Sequence, residues 1–188
     1  CAAVVAHAFY GDERSAIRQI KKVAWDLQYP LSHDVGLVVE SCVQLLCRQD
    51  PKRALKLLDM ARERFDNHLK SPVLKRQIHF YFDRFTAVAE AAAGQETEGQ
   101  RRLLERAVED TKHPISQLLA SYALAIKHER DGDDELARVY RDRLENNAPY
   151  CDALFAELSD FEEAKSLKRW NGPITLVLRK RERESSSD

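Results

Sequence analysis

Four short breaks, at Gly11, Gln49, Gly94 and Gly132, fall 38, 45 and 38 residues apart, and each separates two runs of helical hydrophobic spacing. The same order of side-chain sizes follows each break. Five residues on stand Ala16, Ala54, Gly99 and Ala137, all small. Nine residues on stand Ile20, Leu58 and Leu103, with Arg141 beside Tyr140 in the fourth case. Twelve residues on, Val23, Ala61 and Leu144 continue the pattern, whereas the third unit has Arg106 and places Ala107 one position late. A small residue lets the two helices of a pair approach closely, and bulky residues one turn later fill the gap to the next pair. One pair cannot bury both its faces, so several must stack. The chain is thereby constrained to an array of antiparallel helix pairs, an all-α fold.

Boundary signals agree with this. Tyr29-Pro30 ends the helix that follows Gly11, because the residue before proline is driven out of helical geometry. Ser32 opens a helix reaching about Arg48. Asp50-Pro51 and Ser71-Pro72 each combine a capping side chain with a proline whose missing N–H costs nothing in the first turn. The helix from Pro72 runs to Ala93, the next covers 97–111, and His113-Pro114 opens one ending near Gly132. An eighth helix over 133–146 ends before Pro149, and a ninth covers 152–170. Asn171-Gly172-Pro173 breaks it, "ITLVL" at 174–178 is strand-like, and the tail is charged and polar. The expected organisation is helical repeats over 1–149, a capping helix over 150–170, and a strand-like segment with tail over 171–188. "CAAVVAHAF" at the start reads as the interior of a helix, so the chain is expected to be a piece of a longer one.

The small-then-bulky order after each inter-helix turn, over about 2–149, resembles the tetratricopeptide repeat (TPR) family in a degenerate, long-helix form. The turn spacing exceeds the family's usual ~34 residues, and its tryptophan and leucine-glycine pair are not evident. The resemblance implies a right-handed superhelical α-solenoid of about nine helices. It also implies a concave face, lined by the first helix of each pair, that holds extended peptides or partner helices. On that face the expected partner-binding residues are Val39, Val43, Leu46 and Cys47, then Tyr81, Arg84 and Val88, then Tyr122, Ile126, Glu129 and Arg130. The ring of Lys and Asn with which some members grip a terminal carboxylate is absent. The lining is largely apolar and suits an amphipathic helix or apolar peptide.

Composition narrows the alternatives. A formal charge of −1 argues against direct nucleic-acid binding, and no apolar run approaches the ~20 residues needed to span a bilayer. Cys1, Cys42, Cys47 and Cys151 lack paired spacing or matched histidines, so they read as free thiols of an intracellular protein, with no metal site and no cofactor. No glycine-rich phosphate loop, GxSxG or acid–base constellation occurs. "IHFYFDRF" at 78–85 concentrates aromatics, either to anchor a ligand or to fill the space between helix pairs. The expected function is a non-catalytic interaction scaffold that binds another protein. A ligand- or peptide-sensing module of a larger transcriptional regulator is the alternative, and a helical enzyme is disfavoured.

Overall fold

The computed structural model describes residues 7–8, 13–26 and 32–156. Among the described residues the secondary structure is entirely helical, in seven helices. These are α1 (Glu13–Asp26), α2 (Ser32–Leu46), α3 (Pro51–His68), α4 (Pro72–Ala93), α5 (Glu98–Val108), α6 (Pro114–Asp131) and α7 (Asp134–Ala156). The strand-like 174–178, the charged tail and most of the ninth helix lie outside the described residues.

The sequence signals act through their expected chemistry. Asp50 accepts the Arg53 amide at 2.9 Å ahead of Pro51, and Ser71 caps Leu74 at 3.5 Å ahead of Pro72. Thr97 and Gln100 cap one another reciprocally, and Asp133 accepts the Leu136 amide at 3.1 Å. α6 is the exception, since His113 at its N-cap makes no side-chain cap.

The three described breaks between the two helices of a pair each contain a left-handed residue: Gln49 at φ 53°, Gly94 at 73° and Gly132 at 78°. At Gly94 and Gly132 the next two amides reach back to close the helix end, Gly94 to Ala91 and Gln95 to Glu90, Gly132 to Glu129 and Asp133 to His128. An added Cβ at Gly94 would also lie 3.0 Å from the Arg130 guanidinium, which would have to shift slightly. Gln49 adopts this conformation with a side chain, and its turn is one residue wider, Asp50 donating to the Gln44 carbonyl at 2.9 Å. A left-handed residue other than glycine costs about 1–2 kcal/mol, less the chain entropy that glycine adds to the unfolded state. Gln49→Gly is therefore expected to raise stability by roughly 0.5–1 kcal/mol in a denaturant titration.

Packing follows chain order within and between pairs. α2 pairs with α3, α4 with α5 and α6 with α7, while α3 contacts α4, α5 contacts α6 and α1 contacts α2. Across the pairs, α4 also packs on α6. In α6, Leu118, Leu119, Ala120, Ala123 and Leu124 are all buried. Ala16, Ala54 and Ala137 are buried at close-packed positions, as their size requires.

The third unit departs from the expected register. Gly99 is exposed, and Leu104, Ala107 and Val108 are the buried residues of α5. Counting from the N-cap rather than from the left-handed residue explains this. Leu57, Leu104 and Tyr140 then stand seven residues after Asp50, Thr97 and Asp133, and Ala61, Val108 and Leu144 stand eleven after. The loop from Gly94 to Thr97 is two residues longer than its counterparts, which shifts the count. A second departure is that α7 continues through Pro149 to Ala156, where a helix end is expected. Proline deletes one backbone donor and its ring crowds the carbonyl four residues earlier, so it weakens or kinks a helix without having to terminate it.

Candidate binding groove

α2 and α4 do not pack as a pair, and the space between them is a groove of about 480 Å³. Its α2 wall is formed by Val35, Val38, Val39 and Cys42, and its α4 wall by Ile78, Tyr81, Phe82 and Phe85. Phe65 of α3 lies at its floor, while Lys112, His113, Ile115 and Ser116 close the end at the start of α6. Phe65 meets Phe82 edge-on, with centroids 5.5 Å apart, which fixes the floor. Burial pushes the Cys42 thiol up to about 12, so it behaves as an apolar wall rather than a nucleophile.

A polar cluster sits beneath one end. The buried Arg84 donates to Asp110 at 2.8 Å and to Ser116 at 3.1 Å, and its guanidinium centre lies 3.9 Å from the Phe80 ring centroid. His113 Nδ1 approaches the same Asp110 oxygen at 2.9 Å. The Arg84 hydrogen bond, followed by that of His113, holds the Asp110 carboxyl below the usual carboxylate range. The His113 ring in turn stands 5.3 Å from Phe80 and 5.9 Å from Tyr81, centroid to centroid. Arg84 is thus a buried strut that ties α4 to the start of α6 and orients the aromatic rim.

The expected partner-binding residues divide into four sets. Val39 and Tyr81 line the groove. Val43, Leu46 and Val88 are buried in the core and do not border the groove, and Arg84 is buried as well. Tyr122 and Ile126 are partly buried, and burial raises the Tyr122 hydroxyl to about 12. Glu129 and Arg130 are exposed but engaged within the chain. Glu129 pairs with Arg141, while Arg130 donates to the Ala91 carbonyl at 2.8 Å and pairs with Glu96 at 3.1 Å. A cation at the end of α4 complements the negative end of that helix. Cys47 donates weakly to the Ala8 carbonyl.

On each of the three helices the open surface lies nearer the N-terminus than expected. The stripe on α4 is Ile78, Tyr81 and Phe85 rather than Tyr81, Arg84 and Val88, and on α2 it begins at Val35. Helical spacing alone admits both stripes, since each runs at intervals of three and four residues. What separates them is that α4 packs on α6 but not on α2, which leaves one face of α4 uncovered. Of the aromatic run 78–85, Phe82 fills space between helices and Tyr81 stands half exposed at the groove mouth.

No protein-family model matches this chain, and no curated protein or solved structure does so either. Among the described residues no helix is long and apolar enough to cross a membrane.

Proposed function

We propose that this chain is a non-catalytic binding module, a TPR-like solenoid of about nine helices in antiparallel pairs wound right-handedly, which holds an apolar segment of a partner protein. The groove between α2 and α4 carries the reading. It is the place where the first helices of two successive pairs stand apart, and its walls are apolar. Tyr81 and Phe80, 45% and 39% exposed beside it, extend the apolar surface outward as a partner-binding site requires. The alternation of pair contacts with the α4–α6 contact supports the solenoid.

A second reading, a small-ligand sensor within a larger regulator, is favoured by the groove volume of about 480 Å³, which falls within the ~300–1,000 Å³ of small-molecule sites. Tyr81→Asp is expected to leave the thermal melt within about 2 °C of wild type, because its side chain is half exposed, and to abolish capture of the partner. Affinity capture with wild type and variant side by side checks this. Extraction of a small molecule from the wild type, with no protein lost in the variant lane, selects the second reading.

A further inference from the structure

Resting on that reading of the groove, we propose that the segment it holds is an amphipathic helix of about three turns whose apolar stripe enters between α2 and α4 and whose acidic side chain meets Lys112. The length comes from α4. Leu74, Ile78, Tyr81 and Phe85 succeed one another at intervals of four, three and four residues, on one face. Leu74 is exposed and prolongs the groove wall beyond the cavity. Eleven residues at 1.5 Å each make a trough of about 16 Å, three helical turns.

The helical form follows from hydrogen-bond accounting. The groove walls are helices, whose backbone amides are already used within each helix. An extended peptide pressed against such walls would leave its own N–H and C=O groups without partners, a loss of about 1–3 kcal/mol for each group buried. A helix brings its backbone already paired and offers side chains alone, at the i, i+3/i+4, i+7 spacing that the trough matches.

The charge preference follows from the residues around the groove. Asp34 is buried at the start of α2 and is faced by His68 at 3.0 Å and Arg64 at 3.7 Å. Asp110 is engaged by Arg84 and His113, and Asp66 by His79. Lys112 lines the groove, is exposed, and has no acidic partner among the described residues. Lys112 immediately precedes His113, the N-cap of α6, which supplies no side-chain acceptor to the positive end of that helix. The groove end therefore presents uncompensated positive charge beside apolar walls, and an acid on the incoming helix complements it.

The test is selection from a display library of 18-residue peptides, randomised without charge bias, on the immobilised full chain. The expected clones carry Leu, Ile or Phe at helical spacing with Asp or Glu beside the stripe, and become helical on binding by circular dichroism. Lys112→Glu, an exposed substitution that leaves the melt unchanged, is expected to weaken them at least tenfold, and raising the salt is expected to weaken the wild-type complex. Clones free of acids, or affinities within twofold in Lys112→Glu, overturn the charge preference while leaving the groove in place. Clones that bind without becoming helical overturn the helical form. Clones indifferent both to Tyr81→Asp and to Ile78→Ser bind elsewhere, and that outcome overturns the groove reading itself.

Discussion

Val43→Asp and Val88→Asp are expected to unfold the protein as completely as Leu58→Asp does. All three parent side chains are within 2% of full burial, Val43 on α2, Val88 on α4 and Leu58 on α3. All three belong to one apolar core, so an introduced carboxylate must either remain charged in an apolar surround or take up a proton to become neutral. Either course, added to the lost packing, costs on the order of 4 kcal/mol. Domains of this size are stable by about 5–15 kcal/mol, so such a loss removes most or all of the folded population at physiological temperature. Circular dichroism melts of the three variants check the result. A normal melt for Val43→Asp or Val88→Asp would mean that those faces open to solvent, and the groove would then extend towards the C-terminal halves of α2 and α4.

The second large effect concerns the strut under the groove. Asp110→Asn leaves the buried Arg84 guanidinium facing a neutral amide, with Ser116 and the Phe80 ring as its remaining partners. The midpoint of thermal unfolding at neutral pH is expected to fall by roughly 5–10 °C. The pH dependence carries a sign. Because Arg84 and His113 hold the folded-state carboxyl below its unfolded value, the stabilisation is fully present above the ordinary carboxylate range and is lost as the pH falls through the lowered value. Wild type and variant should therefore converge as the pH drops below about 3.9. Melts recorded from pH 7 down to pH 2.5 check this, and a constant gap across that range would assign the loss to packing instead. The variant should also lose partner affinity at neutral pH, since His113 and the rings it orients would lose their anchor.

Much of the fold was legible because its signals are local. Asp50-Pro51, Ser71-Pro72 and Gly94 each dictate the conformation of their own residues, and the helices begin and end there. Ala54 and Ala137 were legible because a buried small residue leaves a size signature at fixed distance from a break. The groove was legible only at Val39 and Tyr81. Periodicity says which residues share a face, and says nothing of whether another helix covers that face. Val43 and Val39 lie on the same side of α2, one turn apart, and both are buried, yet only Val39 borders the groove. Ser116 and His113 gave no periodic signal at all, since they owe their place to Arg84 and Asp110, 32 and 3 residues away respectively. Pro149 misled because proline is a statistical terminator of helices and not an absolute one.

The longer loop between Gly94 and Thr97 bears on how such a chain tolerates change over evolutionary time. Each second helix takes its rotation from its cap, at Asp50, Thr97 or Asp133, and every residue after the cap turns the helix by about 100°. Residues gained or lost ahead of the cap leave the buried set where it was, whereas a single one gained after it sends the core-facing side chains to solvent. A residue inserted between Gly94 and Thr97 is therefore expected to be tolerated, whereas one inserted between a cap and its buried residues is expected to unfold the unit.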